Sequence, residues 1–339
     1  MALSFTRPTH QLLSMADLDP LAIDEVLEHA AALKAGRSPT IGSAPLAGRS
    51  VALIFEKPSL RTRVSFEVGI ARLGGTPVTL HDSEIGLGVR ESVKDATLTL
   101  ERYVDAIVAR VRNHALLEEM AGIASIPVIN ALSDREHPLQ ALADALTLRE
   151  HLGDVRGKQL VYVGDGNNVA ASLIVVAASL GVNIRVVTPP GYEPDPEIVE
   201  QAVAIGRGTG SRFELMHDPV AGIRGAHAVY TDTWISMGQE AEQADRLAAF
   251  PPYALTARLM ANAPRALVMH CLPAHRGWEI ESEVLDGPQS VVLDQAENRM
   301  WVQMAVLVRL IPARRASLGE PIQLPLAIGS RTMGRPARG

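Results

Sequence analysis

The sequence predicts an α/β protein made of two doubly wound parallel-sheet domains joined by long helices. Three observations carry that prediction. Short β-branched apolar runs alternate with segments whose apolar residues recur at helical spacing, the pattern of parallel strands with helical crossovers. The alternation pauses at one long helical stretch, His137 to His151, and then starts again. A chain of 339 residues is also long enough for two domains of ordinary size.

The elements follow in chain order. Leu18 to Lys34 carries Leu21, Val26, Leu27, Ala30 and Ala31 at helical spacing, with Asp17 or Asp19 as a cap. Ser50-Val51-Ala52-Leu53-Ile54-Phe55 reads as a buried strand, broken by Pro58 and Ser59. Val64, Phe66, Val68, Ile70, Ala71 and Leu73 then predict a helix that stops at Gly74-Gly75. Pro77–Leu80 is a short strand, His81–Arg90 a glycine-containing loop and Ser92–Tyr103 a helix. Ala106–Val111 is a strand, His114–Ala124 a helix and Pro127–Asn130 a strand. After the connecting helix come strand Leu160–Val163, helix Asn168–Leu180, strand Asn183–Val187 and helix Pro194–Gly206. Strands are expected at Ala228–Tyr230, Ala266–His270 and Ser290–Leu293, and a last helix at Ala296–Leu310. From Pro312 the chain is rich in Arg, Pro, Gly and Ser and is expected to be a mobile tail over 312–339.

Composition narrows the function classes. Hydrophobic residues make up 47% and charged residues 21%, as in a soluble protein with sizeable cores. A net charge of −6 disfavours a general nucleic-acid role. No basic-plus-apolar leader and no run of membrane-spanning length is present, so no membrane partner is expected. The lone Cys271 excludes an internal disulfide framework and a cysteine zinc site. These features together fit a cytoplasmic enzyme.

The chemistry gathers where strands end, the edge at which open parallel sheets bind ligands. After the Ser50–Phe55 strand come Ser59, Arg61, Thr62 and Arg63, at the start of a helix. A helix N-terminus presents unpaired N–H groups and the positive end of a dipole, and guanidiniums add planar charged donors. This suits a phosphate, although a capping serine followed by solvated arginines has the same letters. Arg110 ends the next strand, and His137-Pro138-Leu139-Gln140 sets His137 and Gln140 on one face of a helix start. Gly164-Asp165-Gly166-Asn167-Asn168-Val169 looks like a dinucleotide turn, but Val169 replaces the third glycine and no acid follows about twenty residues on. Asp232 ends another strand, followed by Trp234-Ile235-Ser236-Met237-Gly238, whose small residues suggest a hinge. His270-Cys271-Leu272-Pro273 ends yet another, and could be a nucleophile pair, a metal-ligand pair or a ligand-facing turn. A metal would need further ligands that the neighbouring sequence does not offer.

Ser59-Leu60-Arg61-Thr62-Arg63 resembles the carbamoyl-phosphate signature Ser-Thr-Arg-Thr-Arg of the aspartate and ornithine carbamoyltransferases, with Leu60 at the first threonine. The likeness extends over about residues 5 to 311 and includes His-Pro-x-Gln, the Ser-Met-Gly loop and His-Cys-Leu-Pro. The resemblance implies two bound small molecules, carbamoyl phosphate and L-ornithine, with no cofactor and no metal. Ser59, Leu60, Arg61, Thr62 and Arg63 would hold the phosphate, while Arg110, His137, Gln140, Cys271, the Leu272 carbonyl and Arg299 would surround the carbamoyl group. Asn168, Asp232, Ser236, Met237 and Cys271 would hold ornithine, and Arg110, His137, Cys271 and Arg299 would act in catalysis. It further implies a carbamoyl-phosphate domain at 1–147, an ornithine domain at 148–295, and a helix at about 296–311 packing back on the first. The Leu272–Pro273 bond would be cis. The assembly would be a homotrimer or a multiple of trimers. Relatives place a neighbouring subunit's glutamine at the phosphate; the matching position here is Gly86 or Glu84. A sibling acting on acetylornithine, succinylornithine or putrescine would share the phosphate motif but not Asp232 with the Ser-Met-Gly loop. A phosphometabolite sensor without activity would lose His137 or Cys271.

Overall fold

The structure is a computed structural model that describes residues 11–40, 42–235 and 239–311. The expected tail at 312–339 and the loop residues Ser236 and Met237 lie outside the described residues.

The first half is a four-stranded parallel sheet of β1 (Ser50–Phe55), β2 (Thr76–His81), β3 (Ala106–Arg110) and β4 (Val128–Leu132), in the order β2-β1-β3-β4. Helices α1 (Pro20–Lys34), α2 (Leu60–Arg72), α4 (Val93–Leu100) and α5 (His114–Ile123) surround it, with a one-turn α3 (Asp82–Ile85) after β2. Ahead of α1, Leu12 lies parallel to β4: its N–H donates to the Val128 carbonyl at 3.0 Å and its carbonyl accepts from Asn130 at 2.8 Å. The buried faces of β1 and β3 are Val, Ala, Leu and Ile, as a sheet covered on both sides requires.

Helix α6 (Pro138–Leu152) leads to the second half. There β5 (Gln159–Val163), β6 (Asn183–Val187), β7 (Phe213–Met216), β8 (Ala228–Thr231) and β9 (Leu267–His270) form a parallel sheet in the order β7-β6-β5-β8-β9. Helix α7 (Asn168–Ser179) is buried on every side from Val169 onward, because it runs through the middle of the molecule against α6 and against α8 (Pro196–Thr209). Short helices α9 (Pro219–Gly222), α10 (Gln243–Ala249), α11 (Ala257–Met260) and α12 (Ser282–Leu285) complete this half. The final helix, α13 (Val292–Leu310), returns to pack on α6, α1 and α2.

Several boundaries differ from expectation. Ser290–Leu293 is not a strand: Ser290 makes a single bridge to Val268, and α13 has begun at Val292 with Leu293 facing outward. A short apolar run does not by itself separate strand from helix start. Helix α8 begins two residues later than expected, behind the Asp195 cap, and runs to Thr209, because the left-handed turn falls at Gly210 and not at Gly206. β7 was not expected; it is an edge strand of mixed polarity, with Glu214 exposed beside Phe213. The loop after β2 contains α3, and β4 begins and ends later than Pro127–Asn130.

Each sheet reverses its winding at one place, between β1 and β3 in the first and between β5 and β8 in the second. Parallel sheets open a crevice at such a reversal, outside the carboxyl ends of the strands. Segments carrying the chemistry follow these four strands and the neighbouring β4 and β9.

Candidate active site

The two crevices open into one cleft of about 700 Å³ lined from both halves. On the first side stand Ser59 and Arg61 after β1, Arg110 at the end of β3, and His137 and Gln140 at the start of α6, with Arg299 reaching in from α13. On the second side stand Asn167 and Asn168 after β5, Asp232 after β8, and Cys271 and Leu272 after β9.

One end is strongly cationic. Ser59 caps α2, its hydroxyl accepting from the Thr62 N–H at 3.4 Å. Burial draws the Arg110 and Arg299 guanidiniums down to about 10, and the two charges oppose each other. Both stay cationic at neutral pH, and each keeps a buried Nε with no partner. Arg299 Nη2 donates to Thr62 Oγ1 at 2.8 Å. Like charges crowded together without carboxylates to pair them mark a place for an anion.

Not every expected residue reaches the cleft. Arg63 turns outward to Glu67, with Nε 2.9 Å from Oε1, and both side chains are half-exposed. Leu60 is exposed on the first turn of α2, and Thr62 is fully buried under Arg299. None of these three lines the cleft, because successive residues of a helix turn point in different directions. Glu84 turns back to its own chain, accepting from the His81 N–H at 2.7 Å, while Gly86 holds a positive φ of 59° in a turn where a Cβ would meet Arg90.

Next to the arginines lie two groups of opposite hydrogen-bonding sense. Burial first, then Arg299 and Arg110, push the His137 pKa well below its usual value, so the ring is neutral. Its Nδ1 has no partner. Its backbone N–H is fixed by Ser172 Oγ at 2.9 Å, and that hydroxyl donates to Glu136 at 2.9 Å. Gln140 Nε2 donates to Asp144 Oδ1 at 2.8 Å, leaving Oε1 buried without a partner. The arrangement can therefore donate to a carbonyl-type oxygen through guanidiniums and accept from an amide N–H₂ through Gln140.

The opposite end is acidic. Asp232 is buried; its Oδ2 accepts from Asn167 Nδ2 at 2.9 Å and its Oδ1 accepts from the Cys271 thiol at 2.9 Å. Asn167 is also the cap of α7, with Oδ1 accepting from Val169 and Ala170. Gly166 is required beside it, since a Cβ there would sit 2.3 Å from the Pro194 nitrogen. Asn168 lines the cleft too, but its Nδ2 is committed to the Ser133 carbonyl of the first half at 2.6 Å.

Burial, then the neighbouring Asp232 carboxylate, push the Cys271 thiol well above its usual pKa, so it is a protonated donor and not a thiolate. The ring nitrogens of His270 are engaged elsewhere: Nδ1 accepts from the Leu272 N–H at 2.8 Å and Nε2 lies 3.1 Å from the buried Glu279. Asp232, His270 and Cys271 are close enough together for a metal, yet both ring nitrogens of His270 already have partners. Leu272 holds φ +58° and the Leu272–Pro273 peptide is cis. Of the three readings that the His-Cys segment allowed, the geometry favours the ligand-facing turn. Cys271→Ser is therefore expected to keep measurable turnover, with a loss of about tenfold or less from replacing one weak donor by another. Abolished turnover, or a carbamoyl-thioester caught by mass spectrometry, would restore the nucleophile.

Trp234 and Glu242 are anchored by residues that the sequence did not single out. Arg246 donates to Asp165 at 2.8 Å, to Glu242 at 2.9 Å and to the Trp234 carbonyl at 3.0 Å, lying over the rings of Tyr192 and Phe250. Trp234 stacks on Phe250 with centroids 5.8 Å apart. The only sequence signal for Asp165 was its place in the strand-end turn.

Comparison with known proteins returns two family models. One, described as "Aspartate/ornithine carbamoyltransferase, carbamoyl-P binding domain", matches residues 10–150; the other, "Aspartate/ornithine carbamoyltransferase, Asp/Orn binding domain", matches residues 156–310. An ornithine carbamoyltransferase of Methanothermobacter thermautotrophicus is 51% identical over 297 residues, 87% of this chain and 97% of the relative. The solved ornithine carbamoyltransferase of Pyrococcus furiosus superposes with a TM-score of 0.85 at 45% identity, covering 89% of this chain and 96% of that one. An acetylornithine transcarbamylase solved with acetylcitrulline superposes at 0.80 with 30% identity, covering 89% of this chain and 99% of that one.

Proposed function

The chain belongs to the aspartate/ornithine carbamoyltransferase family, and from that premise we propose that it transfers the carbamoyl group of carbamoyl phosphate to the δ-amine of L-ornithine, giving L-citrulline and phosphate. The observation that carries this reading is the polarity of the cleft, with arginines at one end, the unpartnered Gln140 oxygen beside them and the buried Asp232 carboxylate at the other. The relatives named ornithine carbamoyltransferase, about half identical over most of their length, support the same choice.

In this mechanism Ser59, Arg61 and the start of α2 hold the phosphate. Arg110 and Arg299 donate to the carbamoyl oxygen, with His137 beside them, and Gln140 accepts from the carbamoyl nitrogen. Asp232 pairs with the α-ammonium of ornithine, while Asn167 and Asn168 serve its carboxylate end and the Cys271 thiol lies at the δ-amine. Ser236 and Met237 belong to the ornithine loop by resemblance alone. Leu60, Thr62 and Arg63 support the first turn of α2 instead of touching phosphate with their side chains.

The chemical step is attack of a neutral amine on the carbamoyl carbon. The new C–N bond forms, the bond from carbon to the bridging oxygen breaks, and the departing phosphate takes the amine proton. A free alkyl amine has a pKa of about 10.4, so it must be deprotonated for attack; exclusion of water from the cleft lowers that value. Alignment of the two substrates and donors at the developing oxyanion supply the rest. The test is direct: purified protein given both substrates should release citrulline and phosphate in equal amounts. Phosphate release without citrulline would contradict the assignment.

The same reading makes residues 1–147 and 148–295 the two substrate domains, and places the protein in the cytoplasm, in arginine metabolism, as a homotrimer or multiple of trimers. A single unpaired cysteine, and the lack among the described residues of a helix able to cross a membrane, agree with that compartment. Full activity in a monomer, measured by sedimentation at assay concentration, would rule out an obligate trimer.

A further inference from the structure

Asp144 is a fully buried carboxyl group beside the cleft, yet it does not line it. It sits one helical turn after Gln140 on α6, at the i+4 position that brings two side chains together. Two amides converge on one of its oxygens: Gln140 Nε2 donates to Oδ1 at 2.8 Å and Gln295 Nε2, from α13, at 2.7 Å. Gln295 Oε1 in turn accepts from the His270 N–H at 2.9 Å, just before the turn that carries Cys271.

An amide side chain has a donor end and an acceptor end of nearly the same shape, so a glutamine beside a ligand can present either. The shared oxygen, Oδ1, can only accept: burial raises this carboxyl to about 7, and with two N–H donors on Oδ1 the proton it takes goes to Oδ2. Asp144 therefore compels both glutamines to point their N–H₂ groups at it. For Gln140 the consequence is that Oε1, and not Nε2, is left without a partner on a residue lining the cleft.

We propose that Asp144 is a positioning residue that fixes the amide orientation of Gln140, and so makes the site select a carbamoyl group, with its N–H₂ donors, over an acyl group of the same size. This rests on the reading of the cleft as a carbamoyl-phosphate site. Through Gln295 the same oxygen also steadies the backbone of the Cys271 turn, so one buried acid orders a group on each side of the cleft. If Asp144 merely packed or stabilised the fold, its loss would weaken all ligands alike.

Acetyl phosphate is the probe that separates these roles, because it puts a methyl group where carbamoyl phosphate has N–H₂. Binding of both is measured by calorimetry on the full chain, wild type and Asp144→Leu, a substitution of similar shape that removes the acceptor. With no acceptor to hold it, Gln140 can turn either way, and the preference for carbamoyl over acetyl phosphate is expected to fall by about tenfold. Asp144→Asn keeps one oxygen for the two glutamines, held toward them by Gln295, whose own oxygen is fixed by the His270 N–H, and is expected to restore the preference. If Asp144→Leu does not fold, Asp144→Ser serves, since a hydroxyl both donates and accepts and so permits both amide orientations; a fall of about threefold or more is expected. An unchanged preference in a folded Leu or Ser variant, or an Asn variant as impaired as Leu, overturns the proposal. A wild-type protein that binds carbamoyl phosphate no better than acetyl phosphate would instead overturn the substrate reading beneath it.

Discussion

Arg61→Ala is expected to lower kcat/KM for carbamoyl phosphate by about 30- to 1,000-fold, roughly 2–4 kcal/mol of transition-state stabilisation, the scale of losing one preorganised charged donor. Arg61 lines the cleft at the first turn of α2, and its charge weighs on both Arg110 and Arg299. Removing it relieves like-charge crowding, so the melting temperature should hold or rise while turnover falls. That opposition distinguishes a ligand-binding charge from a structural one. Near-normal turnover in a folded Arg61→Ala would remove the phosphate site from the account. Arg63→Ala is the natural companion: Arg63 faces Glu67 outside the cleft, so its loss should be much smaller.

The other large effect is expected at Arg246, and it is first an effect on stability. Arg246 and Asp165 are both almost fully buried and lie 2.8 Å apart. Burial raises Asp165 to about 6 in spite of the arginine. Arg246→Met keeps the packing against Tyr192 and Phe250 but leaves the carboxylate buried and alone, which costs about 3–5 kcal/mol. The deficit should shrink as pH is lowered, since protonating Asp165 removes the buried charge. Arg246 also holds the Trp234 carbonyl and Glu242, one on each side of residues 236–238, so KM for ornithine should rise more than KM for carbamoyl phosphate. Urea unfolding at two pH values measures the first part. A loss below about 1 kcal/mol, or one that grows in acid, would contradict it.

How far the sequence spoke depended on how local each interaction was. The strands β1, β3, β5, β6, β8 and β9 were legible because a parallel sheet covered on both faces writes them as continuous β-branched runs. β7 was not, since an edge strand alternating Phe213, Glu214 and Leu215 carries no such run. Ser290–Leu293 misled for the opposite reason: its three apolar residues open a helix and make only one bridge to β9. In the candidate site, Arg61, Arg110, His137, Gln140, Asp232, Cys271 and Arg299 were all named from the sequence, and the structure brings them to one cleft. Direction within a helix turn was harder to read, and Leu60, Thr62 and Arg63 were included although they point elsewhere. Asn168 lines the cleft as expected, and its neighbour Asn167, which was not singled out, holds Asp232 directly. Asp144, Asp165, Arg246 and Gln295 were missed altogether. Their roles arise from partners 81 and 151 residues apart in the chain for Arg246–Asp165 and Gln295–Asp144, contacts that no local pattern announces.

The central claim is that the acidic end of the cleft reads an amino acid with a free α-ammonium. It is tested most directly by comparing kcat/KM for L-ornithine and acetylornithine, each with saturating carbamoyl phosphate. Asp232 is buried, and its two oxygens are held by Asn167 and Cys271, so a substrate that brings no α-ammonium leaves it uncompensated. In acetylornithine that amine is tied up as an amide and carries no charge. Sites built around a buried polar partner reject analogues that lack it by large factors, and on the order of 10³-fold or more in favour of ornithine is predicted over acetylornithine. Comparable efficiency for acetylornithine would contradict the account.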